Sequence, residues 1–350
     1  HVLTGYLSYL DPVTKVQIGI NARYLSGTPY SLTFGTDLNM DSFTNDPKAS
    51  LYQFDGQKSE RECMNDEEGR KRRDFYLRIA DEAPVDTVYL GEVVCSKREP
   101  DFARARPAVI ERLRASGKQV VVSTLALVTT PAEVAAIREL ADAGALVEAN
   151  DVAAVQLLGG RPFVVGPHIN VFNEAARDFL VGRGALRIVL PVEMPEKSIA
   201  IVAAGDPGCE FEVQVFGRQP LSVAMRCYHA RAHERTKDHC QLVCGLDADG
   251  LTARTIDGAE VLTVNGTQTL THGHAVLLDD LDRLRGHGVR HFRLSPQDLD
   301  MVKVATLYRD VLDGRLEAPA ALAALRPLTG AIPYINGFLH GREGISWVST

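Results

Sequence analysis

The chain has six cysteines, and three of them, Cys227, Cys240 and Cys244, fall inside one polar, charged stretch, MRCYHARAHERTKDHCQLVC (225–244). A fourth, Cys95, sits in YLGEVVCSKRE. In a reducing compartment grouped thiols read as metal ligands or redox groups rather than structural disulfides. Four thiolates suit either a [4Fe-4S] cluster or a tetrahedral zinc ion. Structural zinc usually draws on paired knuckles with two to four residues between cysteines. Here one cysteine is remote, and the others are separated by twelve and three residues, a spacing that favours the cluster. Zinc with His229, His233 or His239 as substitute ligands is the alternative. Unligated thiols are a third reading, disfavoured because free cysteines usually lie in apolar surroundings.

Bringing Cys95 to residues 227–244 requires a scaffold. From about residue 85, β-branched runs alternate with segments of helical period, the pattern of repeated β-α units around a parallel sheet. The expected strands are 85–91, 118–125, 145–150, 162–169, 185–193, 211–217 and 289–295, with ARPAVIERLRASG and TPAEVAAIRELADAG as covering helices that end in glycine. Seven strands point to a (β/α)8 TIM-like barrel, which needs an eighth upstream. The candidates are 16–20, 30–34 and 50–54, followed by a helix over 67–83 in which Arg70–Arg73 reads as a solvated face. Cys95 and the stretch leaving 211–217 both lie beyond strand carboxyl ends, so all four thiols share the rim where such barrels build their sites. The expected organisation is an atypical extension over 1–65, possessing no sustained periodicity, and a barrel over 66–350 carrying a cysteine-bearing insertion at 218–288.

Composition narrows the function. Content that is 45% hydrophobic and 24% charged describes an ordinary globular chain. A net charge of -7 argues against binding nucleic acid through its phosphates. No apolar run reaches the roughly 18 residues of a membrane span, and no secretory signal opens the sequence, so a cytoplasmic location is expected. The start at His1 suggests a trimmed or incomplete chain.

Four further rim residues are candidates for catalysis. Glu92 and Glu193 stand at strand ends, where carboxylates serve proton transfer or local structure. His168 and Asn170 lie in GPHIN, where the competing role is that Asn170 or Asn173 caps the next helix. Arg226 and Arg231 can balance an anionic cluster or form loop ion pairs. Asn265-Gly266 fits a type I′ hairpin turn. Cys63 and Cys209 lack partners at ligand spacing and are expected as free thiols. No Ser/His/Asp set or H-E-x-x-H motif indicates a protease.

The segments YLGEVVCSKR, VVSTLALV, GPHINVFN, LPVEM, ARAHERTKDHCQLVC and LTVNGTQTL, in this order, resemble the collagenase-like peptidase superfamily, in its UbiV branch, over roughly residues 75–343. The resemblance implies a [4Fe-4S] cluster held by Cys95, Cys227, Cys240 and Cys244. It also implies a heterodimer with UbiU that hydroxylates the aromatic ring of ubiquinone precursors without dioxygen. UbiT is a further implied partner, and prephenate the implied source of the hydroxyl oxygen. The alternatives are a non-catalytic metal-stabilised scaffold and RNA hydroxylation, as in other members of the superfamily. Residues 1–70 depart from the family pattern.

Overall fold

The computed structural model describes residues 2–10, 17–25, 60–98, 102–205 and 207–349, with side chains from residue 69 onward. The chain forms two compact units, His1–Ser59 and Glu60–Thr350. In the first, β1 (Val2–Leu10) and β2 (Gln17–Leu25) pair antiparallel. Residues 17–20 of the candidate first strand 16–20 are therefore one arm of a hairpin. The candidates 30–34 and 50–54 lie outside the described residues.

The second unit is built on a nine-stranded sheet. Its strands β3 (Thr87–Leu90), β4 (Gln119–Ser123), β5 (Val147–Ala149), β6 (Phe163–Val165), β7 (Ala185–Val189) and β8 (Glu210–Gly217) pair parallel in chain order. The first five are the expected strands, trimmed at their ends where no neighbour continues the ladder, and β8 begins one residue before the expected 211–217. Why they form is plain in β4, QVVVS, whose last four side chains are all buried: a β-branched run suits a strand covered on both faces. The outer face packs Phe102, Leu113, Leu158, Phe163, Ile188, Ile199 and Phe211 into the main core, each side chain contributing about 1.5–3 kcal/mol on burial. Val121, Val164 and Val189 form a second core.

The helices between strands carry their own start signals. Helix Pro131–Asp142 opens with a capping box in which Thr130 accepts from the Glu133 N–H and Glu133 accepts from the Thr130 N–H. Asp151 caps Val152–Leu158 through the Ala153 N–H. The helix expected at 67–83 spans Glu60–Glu82. Its arginine run is not wholly solvated, because Arg72 turns inward to the carbonyls of Gly91 and Arg98.

After β8 the chain builds a separate four-stranded antiparallel sheet in the order β10–β11–β12–β9, from β9 (Pro220–Val223), β10 (Leu251–Arg254), β11 (Glu260–Asn265) and β12 (Gln268–Thr271). Asn265 pairs with Gln268, so the two turn residues are Gly266 and Thr267, one place beyond the expected Asn265-Gly266. Gly266 has φ 63° and Thr267 is not left-handed. That corrects the type I′ expectation, which needs both central residues left-handed, in favour of the type II′ pattern with its leading glycine.

The chain then returns to the large sheet through β13 (His274–Val276), antiparallel to β8. Next comes β14 (Val289–Leu294), parallel to β8, and the short β15 (Tyr334–Ile335) lies beside β13. Seven parallel strands thus curl in sequence from β3 to β14, a half-barrel. A closed (β/α)8 barrel needs one more strand between β14 and β3, and none of the described residues supplies it. Among the described residues no helix is long and apolar enough to cross a membrane.

Candidate metal centre and the barrel mouth

Cys95 reaches the rim because β3 ends abruptly. Gly91 has φ 124°, and a Cβ there would meet the Ser123 carbonyl oxygen at 2.7 Å, so only glycine turns the chain at this point. Glu92 follows, 7% exposed. It accepts from the N–H groups of Val94 and Cys95, both at 3.2 Å, and from Arg98 Nη2 at 2.9 Å, while Arg72 Nη2 stands 3.6 Å away. Burial pushes this carboxyl up, but Arg98 and Arg72 outweigh it and hold it below the ordinary glutamate range. Glu92, a catalytic candidate by sequence, is thus the residue around which the Cys95 loop is wrapped.

That loop is stitched to the cysteine segment. Lys97 Nζ donates to the Lys237 carbonyl at 2.8 Å and stands 3.6 Å from Asp238, and Thr267 Oγ1 donates to the Val94 carbonyl at 2.9 Å. Within the segment, Cys227 caps the short helix Tyr228–Ala232, its Sγ accepting from the Ala230 N–H at 3.3 Å. It packs with Ala230, Val243 and Cys240. Burial pushes the Cys244 thiol up to about 11, with Arg98 opposing and Cys95, Cys227 and Cys240 adding to the rise. Cys95, Cys227 and Cys240 therefore all lie near enough to Cys244 to act on it electrostatically. Burial likewise raises Cys95. A bare thiol so placed stays protonated at neutral pH, and a bound metal is what makes such a group a thiolate.

Among the described residues, the three ligand-type atoms lying within 4.8 Å of one another belong to His229, His233 and Asp247. A zinc ion with bonds of about 2.3 Å to sulfur draws tetrahedral thiolates to about 3.8 Å apart. Among the described residues no three cysteine sulfurs lie within 4.8 Å of one another. The histidine group is held together as a hydrogen-bonded clamp. The Gly266 N–H points at His229 Nδ1 at 3.4 Å, which makes Nε2 the protonated nitrogen, and Nε2 donates to Asp247 Oδ2 at 2.8 Å. Zinc at Nε2 needs the reverse tautomer. His233 Nε2 reaches the same oxygen at 2.7 Å, with its ring stacked on His229. Burial raises the Asp247 carboxyl, and the hydrogen bonds from His233 and His229 more than reverse that. His239 stands apart, exposed, with Nδ1 beside Thr236 Oγ1.

The backbone around the thiols is unusual. Glu234, Gln241 and Leu242 are three of the four non-glycine residues with positive φ among those described. Gln241 and Leu242 are consecutive and lie between Cys240 and Cys244. Left-handed conformations in such residues cost of order 1–3 kcal/mol each and collect at functional sites.

The other sequence candidates divide. Arg226 and Arg231 are exposed. The cation that acts on the thiols is Arg98, whose own pKa is raised by Glu92 first, and by Cys244 and Cys95. Glu193 is exposed on the rim. Asn170 is exposed at φ 60° and ends the turn Pro167–Ile169, while Asn173 Oδ1 caps helix Glu174–Val181 through the Ala176 N–H at 2.9 Å. Cys209 is half-buried and has no disulfide, and burial pushes it up to about 11. The side chain of Cys63 lies outside the described residues.

One feature of the interior went unread in the sequence. Along the inside of the sheet runs a ladder of buried charges from β3, β5, β7, β8 and β14. Tyr89 donates to Glu212 at 2.5 Å, Arg187 Nη1 donates to the Tyr89 hydroxyl at 3.2 Å, and Asn150 Nδ2 donates to Glu148 at 3.0 Å. Arg293 joins Glu212 and Glu148 at 2.5 and 2.8 Å. The signal was polar residues set among apolar ones inside the strands, as Glu212 and Gln214 in FEVQV and Arg293 in RHFRL.

No solved structure matches this chain. The profile of Peptidase family U32 matches residues 76–348, which include the half-barrel, the four cysteines and the interior ladder, and the chain belongs to that family.

Proposed function

We propose that this U32 chain is a UbiV-type [4Fe-4S] subunit of an oxygen-independent hydroxylase acting on the aromatic ring of ubiquinone precursors. In this reading UbiU is its heterodimer partner, UbiT an accessory partner and prephenate a small-molecule participant. The observation that supports the proposal is that Cys244 lies near enough to Cys95, Cys227 and Cys240 for each to act on it electrostatically. The donor set is the four-cysteine set of such clusters. When bound, the cluster supplies one-electron transfer.

The chain's own residues hold that site in shape. Glu92 fixes the Cys95 loop through two backbone N–H groups, and Arg98 brings positive charge beside Cys95 and Cys244. Lys97 and Thr267 tie this loop to the cysteine segment. The Asp247 clamp anchors the segment's helix to the Gly266 turn. With every ligand position taken by cysteine, electron transfer to or from the partner is the role that fits. The test is ring hydroxylation under anaerobic conditions with UbiU and prephenate supplied. The expected result is product with the wild-type chain plus UbiU and none with Cys227→Ala. Full activity from the Cys227→Ala pair, or from this chain alone, overturns the proposal. Activity that never depends on the thiols leaves the non-catalytic scaffold as their role.

A further inference from the structure

Lys97, Arg98 and Lys237 all act on Cys95, the first through its backbone N–H. The two lysine side chains are taken up in holding the loops together. Lys97 Nζ donates to the Lys237 carbonyl and faces Asp238, and Lys237 Nζ donates to the Met225 carbonyl at 2.9 Å. Arg98 is held differently. It ends the short turn Ser96–Arg98 that follows Cys95, its N–H donating to the Cys95 carbonyl at 3.0 Å and its carbonyl accepting from Arg72 Nη1 at 3.2 Å.

The Arg98 side chain is fixed as firmly as its backbone. Nη2 donates to Glu92 Oε1 at 2.9 Å, and the same oxygen accepts from the Cys95 N–H at 3.2 Å. One carboxylate oxygen thus ties the guanidinium to the cysteine's backbone. Nε is the exception, because it is buried and has no hydrogen-bond partner among the described residues. A buried donor without an acceptor is costly, and folded chains leave few of them.

Charge points the same way. Glu92 first, and then Cys244 and Cys95, hold Arg98 protonated against its burial. At Cys244, where burial raises the thiol, Arg98 is the leading influence that opposes the rise. The guanidinium therefore serves thiols from both stretches of chain. Glu92 does not cancel it, because Arg72 Nη2 stands 3.6 Å from the same carboxylate, so two guanidiniums share one negative charge. Adding one electron to a thiolate-held iron–sulfur group makes no bond and breaks none, and lowers its charge by one. A fixed cation and an N–H donor to sulfur both favour that reduced form.

We infer that Arg98 sets the reduction potential of the four-thiol centre, its Nε–H donating to sulfur of the bound group and its charge stabilising the reduced state. This rests on the [4Fe-4S] reading of Cys95, Cys227, Cys240 and Cys244. The test uses anaerobically purified full-length chain, with iron, sulfide and zinc measured first. Each sample is then titrated with dithionite in the presence of redox mediators, and the reduced fraction is read by electron paramagnetic resonance. Arg98→Gln, which removes the charge, is expected to lower the ratio of reduced to oxidised centre at a fixed applied potential at least tenfold, a downward shift of about 59 mV for one electron. Arg98→Lys, which keeps the charge but lacks the Nε donor, is expected to lower that ratio less, about threefold. A merely structural role would change how much iron is retained and leave the potential of the loaded fraction unmoved. An unchanged or raised potential in Arg98→Gln overturns the inference, as does an equal fall in Arg98→Lys. If Arg98→Gln retains no iron, Arg98→Lys decides: the threefold loss supports the inference and an unchanged potential overturns it. Loss of iron from both variants makes Arg98 a structural prop and overturns it too. Wild-type chain holding zinc, or neither iron nor sulfide, sinks the cluster reading and this inference with it, whereas full iron and sulfide with an unmoved potential sinks the role of Arg98 alone.

Discussion

His274 should make the protein's stability fall on mild acidification. It lies in β13 between β8 and β15, 1% exposed, with its ring against the edge of Phe216 and neither ring nitrogen hydrogen-bonded among the described residues. Burial lowers its pKa to about 4, and Arg218, His272 and Arg326 push the same way against Asp249. The unfolded chain takes up the proton near the ordinary value of about 6.5, whereas the folded chain refuses it until about 4. Between those values the unfolded state binds more protons, so stability is full above about pH 6.5 and is lost progressively as the pH falls toward 4. At about 1.36 kcal/mol per pKa unit the interval corresponds to about 3 kcal/mol. Other groups titrate in the same range, so the measurement is a difference. Urea unfolding followed by circular dichroism at pH 7.0, 5.5 and 4.5 is compared between wild type and His274→Leu, which cannot titrate. The wild-type curve should drop more steeply, with the gap growing as pH falls. Parallel pH profiles for the two proteins would refute the reasoning.

Three further outcomes follow from the geometry. Glu92→Gln removes the buried charge that pairs with the half-buried Arg98 and Arg72 and should cost about 3 kcal/mol in chemical denaturation, since it leaves both cations without their carboxylate. It should also lower the metal retained by the Cys95 loop. Thr130→Ala breaks the capping box of helix Pro131–Asp142 and should cost about 1 kcal/mol by the same assay. Cys209→Ser should leave iron content unchanged, because this thiol stands apart from the rim group; a loss of iron would place it among the ligands.

The strands were legible because β-branched runs such as VVV in β4 and IV in β7 have few other uses, and their trimming reflects where neighbours stop. The Cys95 position was legible too, since a residue just past a strand end must lie on the rim. What stayed hidden is what depends on contact between distant residues. Glu148 and Arg293 are 145 positions apart, and nothing local says that a glutamate in VEA and an arginine in RHFRL neutralise each other inside the sheet. The same holds for Glu92, which reads as a free carboxylate until Arg98 and Arg72 fold onto it. Asn170 and Asn173 both suit a cap, and only the backbone decides between them. The hairpin turn was misplaced by one residue because Gly266 alone, not its pairing with Asn265, determines where the chain reverses.

The most direct test of the central claim is iron, acid-labile sulfide and zinc quantitation on anaerobically purified protein, with Cys95→Ala, Cys227→Ala, Cys240→Ala and Cys244→Ala alongside. The account predicts about four iron and four sulfide per chain in the wild type, with both lost or sharply reduced in each variant. One zinc and no sulfide, or full iron and sulfide in any of the four variants, would contradict it.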